Sequence, residues 1–429
     1  MFLFLQKYLN DNLTFIFSSI MNTLLRFTIE NYRSIAERKT MVYTPTSIKD
    51  EPQTNIVKTD SANYLRTSAI YGANSSGKSN FIQGIAVMSQ LVLTSVKMND
   101  NEELFHEPFL LNKTYSQKPT LFEVEFIADG TCYRYGFSNT EKQICDEWLV
   151  RVEKSGSESK LFIRTLEGIG VNEKLFPEGK NLEERTNDNR LFLSLVGQLG
   201  GDISNSVIAF FREGINVTSG LDTDSYTSFT KLYLNKNLPG CSAMKEFFGR
   251  VQLGFSDVAS SIVQEKSGRK EIKVLSSHGI YDESGSRVDT ADFEFEHMES
   301  AGTRKLFDMA GPIFDTLNSG NVLVVDELDA KMHPLISQEL VSLFNDPARN
   351  PKGAQLIFTT HDTNLLSCHL LRRDQIWFTE KDSQERTDIY NMMQIVLPDG
   401  AKPRGDGNIE RNYIRGRYGA IPYILPYTE

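Results

Sequence analysis

The stretch from Gly72 to Ser79, GANSSGKS, fits the pattern G-x-x-x-x-G-K-[ST]. Glycines at fixed positions let the backbone curl so that its N–H groups point at phosphate oxygens. The lysine reaches the β and γ phosphates of a nucleotide, and the serine hydroxyl ligates Mg²⁺. A short strand, SAIY, precedes the loop, and a helix follows whose positive N-terminal end attracts phosphate. The residues predicted to bind the nucleotide here are Gly72, Ala73, Asn74, Ser75, Ser76, Gly77, Lys78, Ser79 and Asn80.

A second set of polar residues stands where two apolar runs end. The run Val322–Val325 is followed by Asp326 and Glu327, and burying two adjacent carboxylates without a purpose is costly. Asp326, together with Ser79 of the loop, suits the shell of Mg²⁺, and Glu327 suits a general base that polarises the attacking water. The run QLIFTTH ends in His361, placed to hydrogen-bond the γ-phosphate or that water. We therefore predict catalytic roles for Glu327, His361 and Lys78.

The pattern of apolar residues also predicts the elements that must position these groups. The segments LLRFTIENYRSIAERKTMVYTP and TLFEVEFIADGTCYRYGFSNT alternate as hairpins, the second around an Asp-Gly turn. Residues 191–255 show helical spacing, and KEIKVLSSHGIYDESGSRV indicates a further, exposed hairpin. After Glu299, helices alternate with the short strands NVLVVDE, AQLIFTTH and QIWFTE, which is typical of a buried parallel sheet.

The segment ESAGTRKLF, residues 299–307, has two interpretations that hold together. As a plain helix start, Ser300 is a good N-cap for a helix with a core-facing apolar stripe, which Pro312 is expected to kink or restart. As half of a nucleotide site, the free N–H groups of the same first turn would meet a γ-phosphate.

Composition limits the class of protein. The 429 residues are 40% hydrophobic and 24% charged, as in soluble globular proteins with two or three structural units. The net charge of −10 means that binding to nucleic acid or anionic lipid would need a local basic patch. The four cysteines form no CxxC pair, which fits a reducing cytosol. Residues 1–20 hold no apolar run long enough to cross a bilayer, and we expect an extension ahead of Met21 or a short amphipathic helix. The sequence thus predicts a cytoplasmic protein without a membrane partner.

One basic cluster stands near the C-terminus, interleaved with Tyr413 and Tyr418 and opposed only by Asp406 and Glu410. It is either a surface for a phosphate backbone or a protein partner, or a solvated tail packed by its tyrosines. The cations of this cluster are Lys402, Arg404, Arg411, Arg415 and Arg417.

The motifs together resemble those of the ABC-type ATPases, in the order Walker A, signature, Walker B, D-loop and switch histidine. These correspond to Gly72–Ser79, Ser300–Gly302, Val322–Glu327, Asp329 and His361. The opening FTIENYRSI resembles the SMC- and RecF-like branch, which works on DNA rather than in transport. The closing IERNYIRGRYGAIPYI is similar to the tail of bacterial AAA-type ATPases of abortive-infection, OLD-like and restriction-linked phage defence systems. The resemblance spans nearly all of residues 24–424.

This resemblance implies a dimer that holds two ATP molecules between its subunits. It implies that Ser300 and Gly302 touch the γ-phosphate bound by the other subunit, and that Asp329 orders the interface. Arg33 is expected near the nucleotide, as a basic residue after the first strand. The residues implied to act on the ATP of their own chain are Lys78, Ser79, Asp326, Glu327 and His361.

Two features depart from the family pattern. The signature reads Glu-Ser-Ala-Gly where Leu-Ser-Gly-Gly is usual, so that Ala301 carries a Cβ at a glycine position. The glutamine of the Q-loop has no clear counterpart, and Gln143 is a candidate only by its rough position.

The predicted fold is therefore an α/β P-loop NTPase, an ABC-type ATPase head with a mixed β-sheet lobe and a helical insert. The predicted divisions are an extension (1–20), lobe I with Walker A (21–185), a helical insert plus hairpin (186–290) and lobe II with signature, Walker B and switch histidine (291–429). The predicted function is Mg²⁺-dependent ATP hydrolysis by an ATP-sandwiched homodimer or higher oligomer. Such a dimer would gate a separate nuclease or toxin in phage defence or a DNA transaction. The alternatives are the ATPase subunit of a transporter and a non-hydrolysing ATP-dependent scaffold.

Overall fold

The computed structural model describes residues 22–50, 52–220, 224–264, 270–367, 369–398, 400–405 and 407–422. The predicted extension 1–20, Asp406 and the last residues of the tail motif lie outside these ranges. In chain order the strands are β1 (Thr23–Glu30), β2 (Lys39–Val42), β3 (Ile56–Val57), β4 (Tyr64–Leu65), β5 (Thr67–Gly72), β6 (Thr120–Ala128), β7 (Thr131–Asn139), β8 (Ile144–Val152), β9 (Glu158–Thr165), β10 (Gly168–Val171), β11 (Ile215–Ser219), β12 (Asp257–Gln264), β13 (Lys270–Tyr281), β14 (Arg287–Glu294), β15 (Val322–Asp326), β16 (Gln355–Thr359), β17 (Ile376–Lys381) and β18 (Thr387–Asn391). The α-helices are α1 (Lys78–Thr94), α2 (Phe192–Gln198), α3 (Asp202–Ala209), α4 (Asp224–Asn235), α5 (Cys241–Val251), α6 (Phe295–Met298), α7 (Ala301–Ser319), α8 (Pro334–Asn345) and α9 (Ile409–Ile414).

An antiparallel sheet of seven strands forms the first layer, in the order β10-β9-β8-β7-β6-β1-β2. It contains two of the predicted hairpins, β1–β2 and β6–β7. The turn of the second hairpin has Asp129 at φ 50° and Gly130 at φ 72°. Asp-Gly accommodates two consecutive left-handed residues, and such a turn matches the twist of the strands that it joins.

A second sheet carries the strands of the predicted motifs, in the order β11-β15-β16-β5-β17-β18. All its neighbours pair in parallel except β17 and β18. Both faces are buried: Val322 and Val324 of β15 point into one core, and Leu323 and Val325 into the other. Because each residue of the strand meets apolar neighbours, the strand reads as a continuous apolar run, and the predicted buried parallel sheet is confirmed.

Helix α1 fills the space between the two sheets. Its Phe81 packs edge-on against Phe27 of β1, with ring centroids 5.3 Å apart, and shares a core with Ile70 and Ile357 of the parallel sheet. The segment Lys78–Lys97 is long and apolar enough to cross a membrane by length and composition alone. In this fold the apolar side chains of the helix pack in the core between the two sheets.

Helix α7 covers the opposite face of the parallel sheet and runs unbroken through Pro312. Proline removes one N–H and displaces the carbonyl four residues earlier, which here belongs to Asp308. Thr230 of α4 donates its hydroxyl to that carbonyl (2.7 Å) and accepts from the N–H of Gly311 (3.1 Å). The predicted restart of the helix is therefore wrong, because a neighbouring helix supplies the lost hydrogen bond.

The segment between residues 191 and 255 differs from the uniform helical pattern that the sequence predicts. It contains β11, which pairs in parallel with β15, besides helices α2 to α5. Beyond it, β12, β13 and β14 form a separate three-stranded antiparallel sheet that includes the predicted exposed hairpin. This parallel sheet takes β5 from the segment 21–185, β11 from 186–290 and its other strands from 291–429. All three predicted segments therefore contribute strands to one sheet.

Candidate functional site

The phosphate loop connects the end of β5 to the start of α1. Ser75 and Gly77 have left-handed backbone angles, φ 63° and 109°, which produce the curl that the motif predicts. The Lys78 ammonium donates to the carbonyls of Gly72 (2.8 Å) and Ala73 (3.1 Å), so that it lies over its own loop. Burial lowers the pKa of Lys78, while the carboxylates of the acidic strand end oppose this shift. The loop therefore has the shape and the buried cation of a phosphate cradle.

Two threonines of the β17–β18 hairpin hold this loop from the outside, and the sequence analysis did not single them out. Thr379 Oγ1 lies 2.6 Å from Ser76 Oγ, and Thr387 Oγ1 donates to the Ser76 carbonyl (2.9 Å). A Cβ at Gly72 would collide with Thr379, and a Cβ at Gly77 with Thr387. The two motif glycines are thus required by close packing as well as by backbone conformation.

Asn80 and Arg33 lie together beside the start of α1. The Asn80 amide donates to Ser34 Oγ (2.7 Å), which ties the helix to the turn after β1. The Arg33 guanidinium pairs with Glu107 and donates to Gln83, one turn along α1 from Asn80. The structure thus places Arg33 next to the first turns of the phosphate-loop helix, and its contact with a nucleotide stays a prediction.

The acidic residues lie at the end of β15, with Asp326 as its last residue and Glu327 directly after it. Both are fixed by Thr359 of the neighbouring strand β16. Thr359 Oγ1 donates to Asp326 Oδ1 (2.6 Å) and accepts from the N–H of Glu327 (2.7 Å), and the Thr359 carbonyl accepts from the N–H of Leu328 (3.0 Å). Glu327 has φ 55°, a left-handed conformation that is costly for a residue with a Cβ. One threonine therefore holds both carboxylate residues at a strained turn.

His361 follows the end of β16, and its N–H lies 3.3 Å from both carboxylate oxygens of Asp329. Burial and the Lys78 ammonium lower the pKa of His361, against the opposing pull of the carboxylates of Asp329, Glu327 and Asp326. This shift favours the neutral form of the imidazole, in which one nitrogen accepts and the other donates a hydrogen bond.

Strand order explains why these groups meet. Strand β16 lies between β15 and β5, all three run in parallel, and their carboxyl ends form one edge. The phosphate loop, Asp326–Glu327 and His361 each follow one of these three ends. Ligands of open parallel sheets bind at this edge. A lysine that cradles phosphate, two carboxylates and a histidine at one edge can perform phosphoryl transfer to water.

A magnesium ion fits this set of donors. The Ser79 hydroxyl and the Asp326 carboxylate are hard oxygen ligands, and Mg²⁺ is usually held by one or two protein groups plus phosphates and water. Within the described ranges, no group of three or more His, Cys, Asp or Glu residues is arranged to hold a metal ion by itself. The residues present therefore fit a metal that arrives with the nucleotide.

The predicted signature residues begin α7. Ser300 caps the helix by accepting from the N–H of Thr303 (3.1 Å), and Ser300 and Ala301 are exposed. A Cβ on Gly302 would lie 3.1 Å from the Lys331 carbonyl, which places the helix start against the turn after Glu327. In the described part of the chain, no hydrogen bond joins Ser300 or Gly302 to the phosphate loop. Both interpretations of this segment remain compatible with its geometry.

Two further predicted features lie elsewhere. Gln143 sits in the β7–β8 turn, where its backbone bonds to Thr140. In the C-terminal cluster, Tyr413 and Tyr418 are buried against Phe378, which establishes the packing role of the tyrosines. The cations of that cluster are all exposed.

This fold and this site define a P-loop ATPase. The chain belongs to the family AAA_21, described as "AAA domain, putative AbiEii toxin, Type IV TA system", which matches residues 68–367. The predicted fold class is thereby confirmed, and the predicted phosphate loop, Walker B strand and switch histidine all lie within the matched segment.

Several solved structures are similar at low identity. The SMC head domain from Thermotoga maritima is 13% identical over 86% of this chain and 98% of its own, with a TM-score of 0.40. An Smc head domain with an extended coiled coil, bound to the C-terminal domain of ScpA derived from Pyrococcus furiosus, is 11% identical over 86% and 96%, with a TM-score of 0.43. The recombination mediator RecF is 10% identical over 86% and 98%, with a TM-score of 0.36. No curated protein matches the chain.

Proposed function

We propose that the chain binds Mg²⁺-ATP at the phosphate loop and hydrolyses it with water activated by Glu327. The observation that carries this proposal is the meeting of three strand ends, which brings Lys78, Glu327 and His361 to one edge of the parallel sheet. The Glu327 carboxylate is close enough to Lys78 to act on the pKa of its ammonium, which supports a general base beside the proposed phosphate site.

Each residue then has a separate task. The backbone N–H groups of the loop and the Lys78 ammonium bind the β and γ phosphates. Ser79 and Asp326 would hold Mg²⁺, which when bound would neutralise charge on the phosphate oxygens. Glu327 takes the proton of the attacking water, and His361 hydrogen-bonds the γ-phosphate or that water. The Asp329 carboxylate keeps His361 in place by accepting a hydrogen bond from the backbone N–H of His361.

The proposal includes an ATP-sandwiched dimer. Helix α7 is 19 residues long, and Ser300 and Ala301 at its start are exposed. The N–H groups and the partial positive charge of such a helix end favour a phosphate. Because Ser300 and Gly302 make no described bond to their own phosphate loop, the nucleotide that they meet would come from a second copy, with Asp329 at the interface.

The biological role that we propose is the ATPase component of a cytosolic anti-phage or DNA-transaction system that gates a separate nuclease or toxin. The family description, which names a toxin of a toxin–antitoxin system, supports a defence setting. The exposed cations of the C-terminal cluster favour contact with DNA as a further part of this role.

Replacing the proposed base tests hydrolysis. Glu327→Gln keeps the size of the side chain but cannot take a proton, so kcat should fall by roughly 10²–10⁴-fold while ATP still binds. Phosphate release measures the first effect, and equilibrium titration with fluorescent ATP the second. The matched control is Glu283→Gln in the exposed β13–β14 turn. Unchanged turnover in Glu327→Gln would remove the mechanism, and a wild-type protein that binds ATP without turnover would favour the non-hydrolysing scaffold.

A further inference from the structure

Lys305 lies in the second turn of α7 and is almost fully buried, with 3% of its surface exposed. Its ammonium donates to the carbonyl of Ala330, in the turn that follows Glu327. Burial lowers the pKa of Lys305 to about 8, and the nearby Asp329 and Glu327 carboxylates oppose that shift less strongly. Among the described residues, no carboxylate forms an ion pair with the Lys305 ammonium. A buried lysine in such a setting costs stability, which indicates a task other than stabilising the fold.

The turn that Lys305 contacts is the one that carries the proposed base. It contains two non-glycine residues in the left-handed region, Glu327 at φ 55° and Lys331 at φ 59°. Such residues persist only where their surroundings hold them. On one side the holding contacts come from Thr359. On the other side they come from Lys305, because α7 packs against this turn.

The start of the same helix touches the same turn. The Gly302 position lies against the Lys331 carbonyl, and Gly220, at the end of β11, packs against the Glu327 carbonyl and beside the Lys305 ammonium. Positions 302 and 305 of α7 therefore both contact the turn 327–331. A displacement of the helix start is transmitted to that turn through packed atoms rather than through solvent.

We infer that Lys305 is a positioning residue for hydrolysis, which fixes the turn carrying Glu327 from the helix whose first turn is offered to the nucleotide of a second copy. This inference rests on the proposed function. It adds a physical link between the two nucleotide sites of a dimer: when the start of α7 meets one ATP, Lys305 aligns the base that acts on the other.

The test is Lys305→Met in the full chain, which keeps the aliphatic stem and removes the ammonium. We expect kcat for ATP hydrolysis to fall at least tenfold, with KM and the Kd for ATP within twofold of wild type and Tm unchanged or higher. ATP-dependent dimers should still form, since Ser300 and Gly302 are intact. The matched control is Lys231→Met, whose ammonium borders the same cavity of about 500 Å³ but pairs with Glu296 instead. The control should keep the wild-type kcat.

A second variant perturbs the turn 327–331 without changing a charge. Gly220→Ala places a Cβ against the Glu327 carbonyl, whereas Gly249→Ala on α5 meets open space. Gly220→Ala should reproduce the loss of kcat at unchanged Kd, and Gly249→Ala should not. A Lys305→Met protein with kcat within twofold of wild type overturns the inference. The inference also fails if Lys305→Met loses kcat only together with a large fall in Tm, and Gly220→Ala keeps the wild-type kcat. If Glu327→Gln is inactive in either case, the proposed function stands independently.

Discussion

Thr359 shows how one hydroxyl organises a reactive pair of carboxylates. It lies on β16, yet it binds the side chain of Asp326 at the end of β15 and the backbone of Glu327 directly after that strand. Because the hydroxyl both donates and accepts, it orients the proposed metal ligand and the proposed base with respect to each other.

Thr359→Val should reduce kcat about tenfold or more and lower the free energy of unfolding by roughly 1–3 kcal/mol, since the Glu327 N–H loses its acceptor. Phosphate release and urea unfolding measure the two effects. Thr316→Val is the matched control, because the buried Thr316 hydroxyl has no hydrogen-bond partner among the described residues and should be replaced without loss. Wild-type kcat in Thr359→Val would show that the hydroxyl does not position the pair.

The charge of Lys78 acts on His361 across the site. The ammonium is one of the causes that lower the pKa of His361 below 6.5, so Lys78→Met should raise that pKa and keep the imidazolium to higher pH. An NMR titration of the His361 ring proton in the nucleotide-free protein measures the midpoint. Lys113→Met, in an exposed loop before β6, should leave the curve in place. If the midpoint stays or falls in Lys78→Met, the Lys78 ammonium does not lower the pKa of His361.

At the scale of elements, the β17–β18 hairpin is the outer support of the phosphate loop. Its outer face is covered by the C-terminal segment, where Tyr418 and Tyr413 pack on Phe378 and Tyr390 donates to the Tyr418 carbonyl. Its inner side meets the loop through Thr379 and Thr387 (Thr387 also lies 2.8 Å from Ser34 Oγ). The loop is thus held between a helix and a hairpin.

Thr387→Val should weaken ATP binding about tenfold, because it leaves the Ser76 carbonyl without its donor and lets the loop sample other shapes. Titration with fluorescent ATP gives the Kd. Thr290→Val, in the exposed strand β14, changes the same atoms in another sheet and should bind ATP normally. Equal affinities of Thr387→Val and wild type would mean that the loop keeps its shape without the hairpin.

At the scale of the whole molecule, the proposed ATP-sandwiched dimer predicts how mixtures of two variant subunits behave. Lys78→Met removes one half of each site and Ser300→Arg blocks the other half, so each variant alone should be inactive. In an equal mixture, half of the dimers are mixed and carry one intact site, so at most a quarter of wild-type activity should return, and less where the base of one site depends on ATP at the other. A fully active Ser300→Arg protein would contradict a shared site.

The C-terminal cations make a second prediction at this scale. If they contact DNA, replacing all five by Gln should lower the affinity for a short duplex and reduce the slope of log K against log salt by about one per lost phosphate contact. The five cations are Lys402, Arg404, Arg411, Arg415 and Arg417. A control removes five exposed lysines from the region of the antiparallel sheet, Lys113, Lys142, Lys154, Lys160 and Lys174. Equal salt slopes for the two variants would mean that this cluster does not contact DNA.

The sequence by itself determined the groups whose chemistry depends on local order. The phosphate loop, the acidic strand end and the helix start at Ser300 are each set by a few consecutive residues, because backbone curl, strand burial and helix capping are short-range effects. The Asp-Gly hairpin and the buried parallel strands followed from the same local patterns. Each was predicted at the residues where it is found.

Only the tertiary structure decided which distant residues support those groups. Thr379 and Thr387 lie some 300 residues after the loop that they hold, and Lys305 and Gly220 meet the turn after Glu327 from a different helix and strand. Strand β11 joins the sheet from a segment of helical pattern because it pairs with the edge of β15 that β16 leaves open. Such contacts depend on strand order and on the packing of helices across a sheet. The residues next to a threonine, a lysine or a glycine in the sequence do not indicate which distant residue it will contact.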